Sequence, residues 1–258
     1  MKIVVLAENT AACEGIGCEH GLSLYIEAAG QKILCDMGQS ALFEENAKAL
    51  GVSLSEVTLA VLSHGHYDHG GGLARFLALN EAAPVYMHKD AFLPHYNGTE
   101  KYIGLDTALA ASPRIVFTEK RQTIAEGLTL IPATDIVRRY KKIPHGLTEK
   151  VGESFVEDDF RHEQYLLIEE AGKRVLISGC SHIGVMNIAR DLRPDVLIGG
   201  FHFSKLALDG ALADAAKTLA AMDTDFYTCH CTGEEQYRFM KQYMPRLSYL
   251  GGGRSIEI

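Results

Sequence analysis

The sequence lacks the features that mark several large classes of protein. It has no tryptophan, only 7 prolines among 258 residues, and no apolar run near the ~20 residues that a membrane-spanning helix needs. With 47% hydrophobic and 22% charged residues, the composition excludes a disordered, collagen-like or coiled-coil chain. A chain of this length can bury roughly three quarters of its unfolded surface, so its core needs no covalent cross-links.

A disulfide framework is also missing. The six cysteines, at positions 13, 18, 35, 180, 229 and 231, are spread along the chain, and no two have the CxxC spacing. The apolar stretch that begins at Ile3 ends at Glu8, which is too short for a secretory signal. We therefore expect a cytoplasmic protein with reduced thiols.

Positive charge is in deficit, with 25 Lys and Arg against 33 Asp and Glu and a formal net charge of −8. This balance disfavours nonspecific attraction to nucleic acids or anionic membranes, so we expect neither as a partner. The basic residues at 138, 139, 141 and 142 either form a solvated face or attract an anionic substrate. The oligomeric state is left open.

The order of apolar segments predicts an α/β fold. Strand-like runs at 3–6, 22–27 and 32–35 precede a helix that Gly51 ends and a buried strand at 57–62. The second half restarts with strands near 128–131, 165–168 and 174–177 and then alternates strands with helices. Both halves thus predict mixed sheets covered by outer helices, in a single domain spanning residues 1–258. Residues 90–122 are interpreted as an irregular lid or substrate wall.

Eleven histidines are an unusually high number, and a single turn after the strand at 57–62 carries three of them. His64 and His66 point to the same side, whereas the adjacent Asp68 and His69 must diverge. One metal cannot easily take all four side chains. Two metals about 3.5–4 Å apart can, and such a pair polarises a hydroxide between them. Glycines at 65 and 70–72 supply the backbone freedom that a crowded ligand turn requires.

The pattern HxHxDH at the end of a strand, here His64, His66, Asp68 and His69, resembles the metallo-β-lactamase superfamily. Four shorter runs resemble its subgroup typified by the dihydropterin ribofuranosyl-aminobenzene phosphate synthase of methanopterin biosynthesis: residues 20–23, 178–182, 199–202 and 228–233. The resemblance covers essentially the whole chain. It implies an αββα sandwich with a dinuclear metal site at the edge between the sheets, but no particular substrate, because this fold hosts many reactions.

The chain departs from the superfamily pattern where a metal-bridging aspartate is expected, since Cys180 follows the strand at 174–177. Cys180 could ligate zinc as a thiolate or pack as a small buried residue below the site. His182 lies two residues on, on the same face, and is predicted to be a ligand. His230 matches the superfamily's last metal histidine. We predict that His64, His66 and His182 bind one metal, and that Asp68, His69 and His230 bind the other.

Other residues are predicted to lie on the substrate side. His20 and His202 follow strand ends that the fold would direct to the same edge, where they would contact substrate or support ligands. Thr232 and Gly233 open a predicted helix whose free N–H groups favour a phosphate or carboxylate, although Thr232 could simply cap that helix.

His162 is the alternative to His182 as a metal ligand, because it precedes the strand that leads to Cys180. It lacks the short glycine, serine or threonine turn that lets the usual superfamily histidine fold back onto the metals. We therefore predict a substrate-side role for it. His88, His95 and His145 are interpreted as ordinary or lid residues.

These observations favour a dinuclear metal-dependent hydrolase that acts on a small anionic metabolite, phosphate-containing or pterin-like, through a metal-bound hydroxide held by Asp68. Zinc is the favoured divalent metal, and iron or manganese would suit the same ligands. If the subgroup's chemistry carries over, the protein is instead a transferase that forms a carbon–carbon bond with loss of pyrophosphate and carbon dioxide. A non-catalytic metal- or metabolite-binding protein is the third alternative.

Overall fold

The computed structural model describes residues 1–141 and 146–258, so the expectations for Lys142 and His145 lie outside the described residues. The strands are β1 (Lys2–Ala7), β2 (Ser23–Ala28), β3 (Gln31–Cys35), β4 (Leu59–Val61), β5 (Val85–His88), β6 (His95–Asn97), β7 (Lys101–Tyr102), β8 (Ile115–Thr118), β9 (Gln122–Ala125), β10 (Leu128–Pro132), β11 (Leu147–Val151), β12 (Ser154–Glu157), β13 (Gln164–Glu170), β14 (Lys173–Ile177), β15 (Val196–Gly199), β16 (Asp225–Thr228), β17 (Leu247–Tyr249) and β18 (Ser255–Glu257). The α-helices are α1 (Leu42–Ala49), α2 (Tyr67–Gly70), α3 (Leu73–Leu79), α4 (Val185–Leu192), α5 (Gly210–Ala220) and α6 (Glu234–Lys241). Short 3-10 turns cover Leu54–Glu56, Thr107–Ala111, Ala133–Asp135 and His230–Thr232.

The first sheet has the strand order β18-β1-β2-β3-β4-β5-β8. Its β1, β2 and β3 pair antiparallel, whereas β3, β4, β5 and β8 pair parallel. Along β1, Ile3 and Val5 enter one hydrophobic core and Val4 and Leu6 another. Since strand side chains alternate between two faces, this sheet is covered on both sides.

The second sheet has the order β17-β16-β15-β14-β13-β10-β9 and packs face to face on the first. Their shared core joins Ile26 and Val61 of the first sheet with Leu166 and Ile177 of the second. Helices α1 and α3 cover the outer face of the first sheet, and α4, α5 and α6 cover that of the second. This αββα sandwich confirms the predicted fold class.

The segment at 90–122 is more regular than predicted. Strands β6 and β7 pair with β11 and β12 in a small sheet of order β12-β11-β6-β7, and β8 is the edge of the first sheet. These strands are two to five residues long. Because β6 pairs with β11, which lies some fifty residues further along the chain, no local sequence pattern predicts this pairing.

The parallel strands of both sheets direct their following loops to one edge of the sandwich. The loop after β4 begins the histidine turn, and the loops after β14, β15 and β16 carry His182, His202 and His230. Ligand sites of α/β sheets form at the carboxyl ends of parallel strands. None of the helices described is long and apolar enough to cross a membrane.

Candidate metal centre

The histidine turn lies between β4 and α2 and is almost closed to solvent. His64, His66, Asp68 and His69 are all buried. Gly65 is required for close approach, because a Cβ there would stand 2.0 Å from the Ala91 carbonyl oxygen. The turn therefore packs directly on backbone, with its ligand side chains aimed at the sheet edge.

A first group of ligand atoms comes from His64, His66 and His182, each offering one atom within 4.8 Å of the others. The Nε2 atoms of His64 and His182 are 3.3 Å apart. The His182 ring stacks on Phe160, with centroids 4.4 Å apart and the planes 6° from parallel. The structure thus brings together the three side chains that were predicted to share one metal.

A second group comes from Asp68, His69 and His230. His230 Nε2 is 3.3 Å from both His69 Nε2 and Asp68 Oδ2, and His69 Nε2 is 3.9 Å from the same carboxylate oxygen. Tetrahedral coordination with bonds of about 2.0–2.1 Å separates ligand atoms by about 3.4 Å. Both groups therefore fit a divalent metal in donor type and spacing.

Three of these histidines are oriented by partners that the sequence analysis missed. His69 donates through Nδ1 to Asp36 Oδ2 at 2.7 Å, and His230 donates through Nδ1 to Asn9 Oδ1 at 2.7 Å. His64 Nδ1 is 2.8 Å from Ser63 Oγ, which itself donates to Asp36. Because each Nδ1 carries the proton, each Nε2 keeps its lone pair free for a metal.

Backbone strain is concentrated around the same edge. Several non-glycine residues that line or support the two groups adopt a positive φ: Asp36, Phe160, Ser181, His202 and His230. This conformation is unfavourable for residues with a Cβ, and it persists where the surrounding structure over-determines it, commonly at functional sites.

The pKa shifts of the candidate ligands determine their protonation states in the metal-free site. Burial, together with the neighbouring histidines, lowers the pKa of His64 and of His66 well below the usual value. Burial opposes ionisation of Asp68, but His69, His20 and His230 outweigh it and hold the pKa of Asp68 well below its usual range. Burial also opposes protonation of His69, but the carboxylates of Asp36 and Asp68 outweigh it and raise the pKa of His69. At neutral pH the site therefore presents neutral imidazoles at His64 and His66 and an anionic carboxylate at Asp68, whereas a metal that binds His69 competes with a proton there.

Cys180 lies within ligand distance of both groups. Its Sγ is 3.1 Å from His69 Nε2, and it shares candidate metal clusters with His64 on one side and His230 on the other. Burial raises the pKa of its thiol, and the nearby Cys231 thiol adds to that shift. Without a metal the side chain is thus a neutral thiol at the floor of the site.

Glu163 anchors the loop that carries His182, a role that the sequence analysis did not find. Its carboxyl accepts the His182 N–H at 2.7 Å, the Ile183 N–H at 3.3 Å and the Tyr165 hydroxyl at 2.7 Å. Burial raises the pKa of Glu163 to about 7 in spite of these donors. The sequence did contain a signal for this role. Glu163 stands just before an apolar strand, and an acidic residue that is buried there needs hydrogen-bond partners.

The two groups open onto a cavity of about 210 Å³. Its wall holds polar and basic side chains from five segments of the chain: His20, Tyr67, Asn97, Lys101, His182, His202, Ser204 and Lys205. His20 contacts Asp68 Oδ2 at 3.2 Å, and the His202 ring lies 4.4 Å from that of His182. Both histidines thus stand at the cavity, where they were predicted. A larger cleft of about 660 Å³ lies at the other end of β1, beside Met1 and Glu170, away from the metal-binding side chains.

His162 lies behind the first group and does not line the cavity. Its Nδ1 accepts the Gly65 N–H at 3.0 Å, so its proton is on Nε2, which is 3.3 Å from Asp158. A neutral imidazole that bound a metal through Nε2 would need its proton on Nδ1 instead. The position argues against His162 as a ligand, and its complete burial argues against the predicted contact with substrate.

Thr232 and Gly233 are also turned away from the cavity. Thr232 is fully buried, and its Oγ1 accepts the Phe201 N–H at 2.8 Å. Helix α6 starts only at Glu234, with Glu234 and Glu235 in its first turn and no side-chain cap. Two carboxylates there disfavour the anion that was expected at this helix start.

Two groups of candidate metal ligands at one edge between stacked sheets are typical of metal-binding αββα proteins. The family model described as the metallo-beta-lactamase superfamily matches residues 16–225, and the chain belongs to this superfamily.

Particular relatives agree with this class. An uncharacterized protein of Methanocaldococcus jannaschii is 30% identical over 243 residues, which is 90% of each chain. The 7,8-dihydropterin-6-methyl-4-(beta-D-ribofuranosyl)-aminobenzene-5'-phosphate synthase of the same organism is 27% identical, covering 100% of this chain and 96% of the relative, which confirms the predicted resemblance. The crystal structure of Tm1679, a metal-dependent hydrolase of the beta-lactamase superfamily, matches with a TM-score of 0.87 at 29% identity and covers 100% of this chain and 99% of that one.

Proposed function

We propose that this protein is a dinuclear metal-dependent hydrolase that acts on a small anionic metabolite. The observation that carries the proposal is the pair of ligand groups, each with atoms at chelating distances, beside one small cavity. His64, His66 and His182 would hold one divalent ion, and Asp68, His69 and His230 the other. When bound, such a pair supplies Lewis acidity and makes water a stronger nucleophile near neutral pH.

The remaining wall residues explain a preference for an anionic substrate. Lys101 and Lys205 line the cavity, and Lys101 Nζ is held 3.3 Å from the Tyr67 hydroxyl. At about 210 Å³ the cavity is smaller than most drug-sized ligand pockets, which favours a compact phosphate ester or a similar metabolite. His20 and His202 would donate hydrogen bonds to its oxygens.

We assign to Asp68 the role of positioning the water that acts as nucleophile. Its Oδ2 faces His20 and His230, and the carboxylate stays ionised because the histidines lower its pKa. A carboxylate in this position can orient an attacking water and accept its proton. His20, exposed at the cavity mouth, stands where it can pass that proton to solvent.

The test is turnover of a panel of phosphomonoesters and phosphodiesters by protein whose metal content has been measured by elemental analysis. We expect two divalent ions per chain, with zinc favoured, and activity that a chelator removes and added metal restores. Turnover that survives complete metal removal would contradict the proposal.

The synthase relative supports one alternative. At 27% identity over the whole chain, it leaves a transferase that condenses a pterin diphosphate with an aminobenzene derivative as the second candidate. In that case the two groups would hold the diphosphate. Release of pyrophosphate from such a mixture, with no ester hydrolysis, would favour the transferase. Two bound metals without either activity would favour a binding protein.

A further inference from the structure

A second cluster of histidines lies directly behind the first metal group. His95 on β6, His162 before β13 and Asp158 after β12 meet His66, and each of the four residues is at most 4% exposed. One ring nitrogen or carboxylate oxygen of each lies within 4.8 Å of the others. His95 was predicted from the sequence to be an ordinary or lid residue.

The hydrogen bonds of this cluster determine where its protons lie. Gly65 N–H can only donate, so His162 Nδ1 is unprotonated and its Nε2 carries the proton toward Asp158. His95 Nδ1 donates to Asp158 Oδ2 at 2.9 Å, which leaves an unprotonated Nε2 on His95. A third metal bound by these four residues would require the opposite tautomer of His162.

Besides His162 Nε2, which faces Asp158 Oδ2 at 3.3 Å without a hydrogen bond, two further ring nitrogens of this cluster are buried without a partner among the residues described. Within the described parts of the chain, His95 Nε2 and His66 Nε2 have no hydrogen-bond partner. Their rings are 5.5 Å apart between centroids and 75° from parallel. Two imidazoles joined by an N–H···N bond of about 3 Å stand about 5.3 Å apart, so a small ring rotation connects them.

We propose that His95 and Asp158 are positioning residues for the metal ligand His66. His95 Nε2 accepts the proton of His66 Nε2, and Asp158 holds His95 in the required tautomer through Nδ1. This leaves Nδ1 of His66, a residue that lines the cavity, as the nitrogen that binds the first metal. Since carboxylate–histidine partners fix ligand rings and raise their basicity, the chain Asp158–His95–His66 strengthens that metal site. The inference rests on the proposed function, because it requires an ion in the first group.

The experiment measures metal affinity by chelator competition on metal-loaded full-length protein. His95→Leu and Asp158→Asn should each weaken the binding of one of the two ions by about 10–100-fold, which is the usual effect of losing a partner that orients a metal ligand. His95→Gln should restore affinity to within about 3-fold, because its amide can accept from His66 and donate to Asp158 as the imidazole does. His88→Leu is the matched control, since His88 is also a buried histidine but contacts neither group.

The outcomes separate this inference from the proposed function. Equal losses of metal affinity in His95→Leu and His95→Gln, or no loss in either variant, would show that His95 contributes only through packing. Either result would overturn the inference. A third metal equivalent in the wild type that His95→Leu removes would overturn it in favour of a metal cluster. Fewer than two ions in the wild type would contradict the proposed function itself.

A measurement on the wild type covers the case in which the buried variants do not fold. In nitrogen-15 histidine spectra of protein loaded with cadmium-113, His66 should show metal coupling at Nδ1 and a protected proton on Nε2. Coupling at Nε2 would overturn the inference.

Discussion

The two ligand groups differ in how charge surrounds them. In the second group the candidate ligand Asp68 is a carboxylate and His69 donates to the Asp36 carboxylate, so this group presents negative charge to a cation. In the first group all three candidate ligands are imidazoles, and His64 bonds to a serine hydroxyl. The His182 loop rests on Glu163, whose pKa is raised to about 7.

This difference predicts an order of metal binding. A divalent ion gains more from a carboxylate ligand and a carboxylate-backed imidazole than from neutral imidazoles in a buried setting. We expect the second group to keep its ion when a chelator has already removed the other.

Loss of a ligand from either group should abolish activity while the sandwich stays folded. Asp68→Ala should lose the second ion, and His64→Ala the first, because each removes one of three protein ligands at a rim that contributes little to the core. Elemental analysis after dialysis, with circular dichroism as the folding check, measures both. Full activity in either variant would contradict a dinuclear site.

The neutral setting of the first group should appear as a pH dependence of stability. The Glu163 carboxyl has its pKa raised from 4.5 to about 7 by burial, so the folded state holds a proton that the unfolded state loses earlier. Relative to Glu163→Gln, the metal-free wild type should lose on the order of 3 kcal/mol of stability as the pH rises from 4.5 through 7. Urea unfolding of both proteins across this range measures the difference. A difference that does not change with pH would show that Glu163 is not protonated in the fold.

The charged setting of the second group should appear in metal affinity. Asp36→Asn keeps the shape of the side chain but removes the charge that faces His69, and we expect about 10–100-fold weaker binding of the second ion. The matched control is Asp214→Asn, an exposed aspartate on α5 far from the ligand turn. If chelator titrations of Asp36→Asn and the control coincide, the charge of Asp36 has no role in metal binding.

Replacement of the two histidines that line the cavity should have the smallest effects, and these should be on substrate binding or turnover. His20 lies beside the second group and His202 beside the first. Replacing either with alanine should raise KM or lower kcat roughly 5–10-fold, the value of one hydrogen bond of about 1–1.5 kcal/mol. Metal content should remain at two per chain. A variant that loses an ion would identify that histidine as a ligand.

Much of this arrangement could be predicted because its signals are local. His64, His66, Asp68 and His69 occupy one turn after a buried strand, and their spacing alone predicts more than one metal. His182 and His230 could be placed because parallel strands send their following loops to one edge. The anion site predicted at Thr232 and Gly233 depended instead on tertiary structure. A sequence can indicate where a helix starts, but it does not show in which direction the N–H groups of that helix start point.

The sequence alone determined the fold class, the histidine turn and the two sets of candidate ligands, because apolar periodicity and ligand spacing are properties of short segments. Only the tertiary structure decided how those ligands are supported. Asp36 hydrogen-bonds to His69, Glu163 accepts the His182 N–H, and the His95 ring lies beside that of His66. The two members of each pair are far apart in the chain, so no local sequence pattern predicts these contacts. Burial then sets their protonation, since the cost of a charge depends on what the whole fold places around it.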